Sequence, residues 1–182
     1  MKKIFLFLFI AVLHLQYALA HRSNQDDDIV KVLAIGNSFS EDALENYLHE
    51  LADAVGKRII IGNLYIGGAP IDLHVKNAME NNSAYSYRKV NLDGSKTTTE
   101  KVSISEAMAD EDWNYISVQQ ASPLSGQYEV IAETLPHLWT YITAHADEAT
   151  KLIYHQTWAY QQDSKHEGFA HYNKDQLTMY KG

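Results

Sequence analysis

Cysteine is absent from the 182 residues of this chain. Its absence excludes disulfide bonds, thiolate catalysis, and zinc or iron–sulfur sites built on cysteine. Basic residues are also few, because 15 Lys and Arg stand against 23 Asp and Glu, which gives a formal net charge of −8. Such a surface repels a phosphate backbone, and we therefore expect no nucleic-acid partner. The hydrophobic content of 46% is typical of a globular domain with its own core.

Several catalytic and nucleotide-binding signatures are missing as well. The sequence contains no G-x-S-x-G, no P-loop, no G-x-G-x-x-G and no H-E-x-x-H. An α/β-hydrolase nucleophile elbow is therefore excluded, and nucleotide binding has no support. We interpret five histidines as surface or helix residues and expect neither a metal nor a cofactor; they are His74, His137, His145, His166 and His171.

The first twenty residues have the three-part layout of a secretory signal peptide. Lys2 and Lys3 precede an apolar run over 4–15, and a small-residue cleavage site ends at Ala20. The run is too short to span a bilayer, and no cysteine follows it that could carry a lipid. We expect cleavage after Ala20, no membrane anchor thereafter, and a periplasmic or extracellular location. A buried N-terminal helix is the alternative. Residues 21–28 are polar and acidic, which predicts a flexible mature N-terminus.

Apolar runs that alternate with helical periodicity predict an α/β fold around a parallel sheet. Core strands are predicted over 29–35, 58–65, 115–119 and 151–157. The first of them leads into one helix up to Gly56, with a capping box from Ser38 to Glu41. Asp93-Gly94 predicts a β-hairpin over 85–102, interpreted as an excursion from the main sheet. Helices are also predicted over 127–145, with a kink or break at Pro136, and from residue 169 onward.

Four polar or glycine-rich loops follow the carboxyl ends of the predicted strands, at 36–40, 67–70, 119–125 and 155–160. Ligands of open parallel sheets gather at this edge. Ser38 lies where the first strand meets a helix, so its hydroxyl is expected to be exposed and its N–H could help to hold an oxyanion. A nucleophile is one interpretation of Ser38, and a simple helix cap is the other.

The other three loops supply candidates for binding and for oxyanion stabilisation. Gly67 and Gly68 permit a close backbone approach, although an ordinary turn explains them equally. Gln119 and Gln120 could donate to a developing oxyanion, or they could bond to loop backbone. The last loop could form a site wall and an aromatic platform for a sugar ring, or it could only pack against the protein; its candidates are His155, Trp158 and Tyr160.

The order of these motifs resembles the SGNH (GDSL-type) hydrolase superfamily, and more closely a bacterial branch known only as a domain of unknown function. Gly36-Asn37-Ser38, followed by Phe39-Ser40, is similar to the Gly-Asp-Ser block, with asparagine in place of aspartate. Gly67 or Gly68 would be the second block. Val118-Gln119-Gln120-Ala121-Ser122 would be the third, with glutamine in place of the oxyanion-hole asparagine. The resemblance implies a three-layer, doubly wound, flavodoxin-like parallel sheet over 29–182, with four core strands present and the fifth missing.

The same resemblance implies an exported serine esterase that acts on acyl esters, above all acetyl esters, of carbohydrates. Ser38 would be the nucleophile, the oxyanion hole would come from Gly67, Gly68, Gln119 and Gln120, and substrate would be bound by Asn37, His155, Trp158 and Tyr160. We expect the Asp-x-x-His block to be missing, and the chain to be truncated at its C-terminus and inactive as it stands. A non-catalytic glycan- or protein-binding module is the alternative, and a remnant without function is a third hypothesis.

Overall fold

The computed structural model describes residues 28–182 of the chain. Its strands are β1 (Ile29–Gly36), β2 (Arg58–Tyr65), β3 (Tyr85–Val90), β4 (Lys96–Val102), β5 (Tyr115–Val118) and β6 (Lys151–Tyr154). Its helices are α1 (Ser38–Ser40), a π-helix (Glu41–Glu45), α2 (Leu48–Ala54), α3 (Ile71–Met79), α4 (Ile104–Met108), α5 (Tyr128–His145) and α6 (Gln176–Lys181), with 3₁₀ turns at Ser122–Leu124 and Glu167–Tyr172. The expected signal peptide lies outside the described residues, as does the expected flexible N-terminus apart from Asp28.

The six strands form one mixed sheet in the order β4-β3-β2-β1-β5-β6. The four predicted core strands β2, β1, β5 and β6 are parallel, which confirms an α/β fold. The hairpin predicted over 85–102 is present, but its interpretation as an excursion from the sheet is wrong. β3 pairs antiparallel with β2 and extends the sheet, because Tyr85, Tyr87 and Val90 turn buried side chains into the core.

Side chains of β1 alternate between two hydrophobic cores, one on each face of the sheet. Leu33 and Ile35 pack on the first face, against residues of α3, α4 and α5. Val30 and Val32 point to the second face, where the packing comes from the π-helix and α2 through Leu44, Leu48 and Ala52. Both faces of the strand are therefore covered, as its continuous apolar run predicts.

The helix predicted after β1 is interrupted. A short α turn leads into the π-helix, and α2 begins only at Leu48. The predicted capping box is also wrong, because the cap is Asn37, whose side chain accepts the N–H of Phe39 at 3.2 Å. The regular α-helix is lost after Ser40, whose hydroxyl donates a hydrogen bond to Asn63 of β2.

Three other boundaries differ from the predictions. Of the kink or break predicted at Pro136, the break is absent: helix α5 is continuous there, because only one backbone bond is lost while Leu135, Leu138 and Ile142 remain packed in the core. The last helix is split into a 3₁₀ turn and α6, since Asn173 and Lys174 have positive φ. Strand β6 ends at Tyr154, three residues early. None of the helices between residues 28 and 182 is long and apolar enough to cross a membrane.

Candidate active site

The loops that follow β1 and β2 are joined to each other by hydrogen bonds. The N–H of Ile66 donates to the carbonyl of Gly36 at 3.1 Å, and Nδ2 of Asn37 donates to the carbonyl of Ala69 at 3.0 Å. Asn37 is only 1% exposed, so these bonds form in an environment with little competition from water. The side chain of Asn37 therefore holds the loop of residues 66–70 next to the start of the serine loop.

Gln119 connects two further loops to this pair. One end of its buried side-chain amide lies 2.8 Å from Oδ1 of Asn37 and 2.9 Å from the backbone nitrogen of Ser40, and the other end lies 2.9 Å from Nδ1 of His155. In either orientation the amide joins the ends of β1, β5 and β6. The four loops selected from the sequence thus meet at one edge of the sheet.

The side chain of Gln120 is hydrogen-bonded to the first residue of α3. Its Oε1 accepts the N–H of Ile71 at 3.1 Å and the N–H of Ala121 at 2.8 Å. Its Nε2 is buried and has no partner among the described residues. The two adjacent glutamines are therefore used differently, with Gln119 facing the serine loop and Gln120 facing the helix that follows β2.

Ser38 is exposed, although the residue before it is buried. Within residues 28–182, nothing is hydrogen-bonded to its hydroxyl. The next residue, Phe39, meets the ring of Trp158 edge to face at 5.3 Å between centroids. Trp158 itself is 67% exposed. The serine hydroxyl is therefore accessible, and the residue next to it in the chain packs against an exposed indole ring.

The glycine turn after β2 presents free backbone donors. Gly67 and Gly68 are exposed, and within the described part of the chain neither N–H is hydrogen-bonded. Gly68 has φ of +67°, a conformation that side-chain-bearing residues adopt only at a cost. Because Ala69 of this turn is bonded to Asn37, the two free N–H groups lie in the loop that is fastened to the serine loop.

A second polar cluster beneath the serine loop was missed at the sequence level. The hydroxyl of Ser40 lies 2.7 Å from the carbonyl of Asn37 and 2.9 Å from Oδ1 of Asn63. Asn63 also donates to Glu45, which pairs with Arg88. A usable signal existed, because Asn63 is a polar residue inside the otherwise apolar strand β2. A fully buried Asn in a strand needs a partner, and that partner is the helical segment that carries Ser38.

His155 and Tyr160 occupy the loop after β6 in different ways. His155 is half-buried, and burial lowers the pKa of its imidazole, so the ring is neutral at pH 7. The hydroxyl of Tyr160 lies 2.7 Å from that of Ser122, and its ring stacks on His166. Tyr160 therefore fastens the loop, whereas Trp158 leaves most of its ring open to solvent.

The expectation that the chain holds no Asp-x-x-His spacing is wrong. Asp163-Ser164-Lys165-His166 has that spacing and lies between β6 and the following 3₁₀ turn. Nδ1 of His166 accepts the N–H of Gly168 at 3.0 Å, so this histidine caps the turn. No ion pair joins Asp163 to His166 in the described structure, and the pair does not follow a fifth strand. Residues 28–182 contain no cluster of His, Asp or Glu that could hold a metal ion.

Gly36→Ala is expected to destabilise the fold by about 2 kcal/mol. A Cβ at this position would lie 2.6 Å from Oγ of Ser40 and 2.9 Å from Nε2 of Gln119. Both side chains are buried and hydrogen-bonded, so neither can move without losing a partner. Urea denaturation gives the free energy of unfolding. Gly67→Ala is the control, because the closest atom to its added Cβ is the Tyr65 hydroxyl at 3.4 Å, and its effect should stay within about 0.5 kcal/mol. An equal loss of unfolding free energy in the two variants would contradict the tight packing around Gly36.

Two solved structures are similar to this chain. A crystal structure of a DUF4886 family protein from Bacteroides uniformis is 54% identical to it, with a TM-score of 0.82, and the match covers 84% of this chain and 59% of that one. The chain thus spans about three fifths of this relative. A protein from Slackia heliotrinireducens, described as a candidate SGNH hydrolase, is 15% identical with a TM-score of 0.50, over 84% of this chain and 68% of its own. That likeness shows an α/β fold alone.

Among curated proteins, none matches the chain. A family model does match, over residues 31–182, and its description is a domain of unknown function, DUF4886. That stretch includes all four loops of the candidate active site. The chain therefore belongs to the DUF4886 family.

Proposed function

We propose that this protein is an exported serine ester hydrolase of the SGNH type, with a three-layer fold, which removes acyl groups, above all acetyl groups, from carbohydrates. One observation carries the proposal. An exposed serine follows a buried strand directly after Asn37, whose side chain fastens the glycine turn and contacts Gln119. Export rests on the signal-peptide pattern of the first twenty residues alone.

In the proposed reaction, Oγ of Ser38 attacks the ester carbonyl and transfers its proton to a base. The tetrahedral oxyanion would be held by the N–H of Ser38 and by an N–H of Gly67 or Gly68, with the amide of Gln119 as a third donor; Gln120, which faces α3, would not reach it. Collapse expels the sugar hydroxyl and leaves an acyl-serine. Water then attacks the acyl-serine, which releases the carboxylic acid and restores the serine hydroxyl.

The base must be a group that accepts a proton near pH 7. Among residues 28–182, no histidine is hydrogen-bonded to the hydroxyl of Ser38. His155 is neutral at pH 7 and is linked to the serine loop through Gln119 and Asn37. This geometry also supports the second candidate function, a glycan-binding module of the same fold without catalysis.

Hydrolysis of p-nitrophenyl acetate separates the two functions. The assay uses this chain with Ser38 intact or replaced, and the longer Bacteroides uniformis relative beside it. Serine-dependent release of p-nitrophenol supports the hydrolase. Release that is unchanged by the replacement contradicts it. Binding of an acetylated oligosaccharide without any hydrolysis by either protein would favour the binding module.

Trp158→Ala is expected to raise KM for an acetylated oligosaccharide about tenfold while kcat for p-nitrophenyl acetate changes little. The exposed indole, held edge-on by Phe39, offers a flat apolar face to a sugar ring, and the small ester has no ring to place there. Tyr128→Ala is the matched control, since Tyr128 is 65% exposed but belongs to α5. Steady-state kinetics of both variants on both substrates tests this. A similar rise in KM for the two variants would contradict a sugar platform at Trp158.

A further inference from the structure

The pairing of β5 with β6 brings the ring of His155 beside the side chain of Gln119. The register pairs Val118 with Tyr154, and the N–H of His155 donates to the carbonyl of Val118 at 2.8 Å, one residue beyond β6. The next residues of the two chain segments therefore lie side by side at the carboxyl edge of the sheet. Nδ1 of the imidazole is 2.9 Å from the Gln119 amide. Backbone pairing thus sets the contact between this ring and this amide.

The amide of Asn37 decides which end of Gln119 faces the ring. Nδ2 of Asn37 donates to the carbonyl of Ala69 at 3.0 Å, and its Oδ1 accepts the N–H of Phe39 at 3.2 Å, so both ends of the Asn37 amide are assigned. The same Oδ1 lies 2.8 Å from the Gln119 amide, and an oxygen acceptor requires a donor there. Nε2 of Gln119 therefore faces Asn37, and its Oε1 faces His155.

The opposite orientation of the Gln119 amide is less favourable. It would give the backbone N–H of Asn37 an acceptor at 3.2 Å, the upper end of the usual range, but it would also set two buried oxygens 2.8 Å apart. The N–H of Ser40 needs no second acceptor, because it already donates to the carbonyl of Asn37 at 3.0 Å. One long bond does not offset the loss of a short buried one together with the repulsion between two acceptors.

An amide oxygen beside Nδ1 determines the tautomer of His155. Oε1 of Gln119 can only accept, so Nδ1 carries the proton, and in the neutral ring Nε2 then carries the lone pair. Within residues 28–182 no group is hydrogen-bonded to Nε2, and the ring is half-buried. Trp158, three residues later in the same loop, has an exposed indole ring. A sugar ring offers both a flat apolar face and hydroxyl donors, so the two side chains together match its chemistry.

We propose that Gln119 is a positioning residue that locks His155 in the Nδ1–H tautomer, so that Nε2 accepts a hydrogen bond from a sugar hydroxyl of the substrate. Free histidine favours the other tautomer, in which Nε2 is a donor. Without Gln119 the loop would therefore present a donor where the hydroxyl needs an acceptor. The locked tautomer follows from the hydrogen-bond geometry alone, whereas recognition of the sugar hydroxyl rests on the proposed function.

Long-range ¹H–¹⁵N NMR spectra of the chain test the tautomer, because protonated and lone-pair imidazole nitrogens have well-separated ¹⁵N shifts. At about pH 8 the ring is neutral, since burial lowers the pKa of His155. His155→Gln assigns the signals. We expect a protonated Nδ1 and an unprotonated Nε2 in the unaltered chain, and the reverse in Gln119→Met, which keeps the side-chain length but lacks the amide oxygen. Gln120→Met is the matched control, since Gln120 is equally buried but bonded to Ile71, and it should leave the His155 signals unchanged.

Three results would overturn the lock. A protonated Nε2 in the unaltered chain would do so by itself, whether or not the variants fold. Retention of the Nδ1–H tautomer in Gln119→Met would show that the amide does not set it. The same change of tautomer in both methionine variants would trace it to loosening of the loops. Thermal melts establish that the variants are folded.

Titration with an acetylated xylo-oligosaccharide tests the recognition of a hydroxyl. At saturation the Nε2 signal of His155 should move together with the indole N–H signal of Trp158, and His155→Phe should bind at least about tenfold more weakly because it leaves the hydroxyl unpaired. Movement of the Trp158 signal alone would overturn the role of His155. If neither signal moves, the carbohydrate part of the proposed function fails and hydroxyl recognition fails with it, whereas the tautomer measurement is decided separately. Neither measurement depends on hydrolysis at Ser38.

Discussion

Under the proposed function, Ser38→Ala is expected to lower kcat for p-nitrophenyl acetate by at least about a thousandfold, because loss of the nucleophile removes the covalent route and leaves only oxyanion stabilisation and binding. The fold should be unaffected. Ser38 is exposed, its hydroxyl has no partner among residues 28–182, and the helix cap is supplied by Asn37 instead.

Ser125→Ala is the control for this substitution. Ser125 lies in the loop after β5, at the same edge of the sheet, and its hydroxyl donates to the carbonyl of Ser122 at 3.0 Å. The kcat of Ser125→Ala should remain within about twofold of that of the unaltered protein, because Ser125 takes no part in the proposed reaction. A similar loss in both variants would point to damage of the loops. Full activity in Ser38→Ala would exclude Ser38 as the nucleophile, whatever the control shows.

The position of the candidate site was predictable from the sequence because the ends of buried strands are encoded locally. Continuous β-branched runs such as that of β1 mark buried parallel strands, and a glycine or polar residue directly after each run marks the edge where ligands bind. That reasoning placed the loops of Ser38, Gly68, Gln119 and His155 together, and hydrogen bonds between these loops are present in the structure.

The division of roles inside the site was not predictable. Asn37 was expected to bind substrate, yet it is buried and bonded to the glycine turn, and only tertiary contacts over more than thirty residues reveal this. The partner of Ser40 is likewise distant in sequence, because its hydroxyl donates to Asn63 of the neighbouring strand. Local propensity carries no information on such partners, since a serine or asparagine at a helix start is explained equally by a cap.

His74 should make the protein lose stability as the pH falls from about 6.5 to about 4. The ring is 0% exposed, its Nδ1 lies 2.9 Å from the hydroxyl of Tyr85, and its Nε2 has no partner among the described residues. Burial lowers the pKa of His74 from 6.5 to about 4. Between these values the unfolded chain binds a proton that the folded protein excludes, so falling pH favours unfolding. The expected contribution is about 3 kcal/mol.

Urea denaturation at a series of pH values, with and without His74→Gln, measures this contribution. Carboxylates with lowered pKa, such as Asp110 and Glu111, also lose stabilising interactions in acid, and the comparison removes their share because both proteins contain them. Between pH 7 and pH 4, the unaltered chain should lose about 3 kcal/mol more than His74→Gln. His137→Gln, on the exposed side of α5, should follow the unaltered chain. Parallel curves for all three proteins would mean that His74 is protonated in the folded state, and that its environment is more polar than its burial indicates.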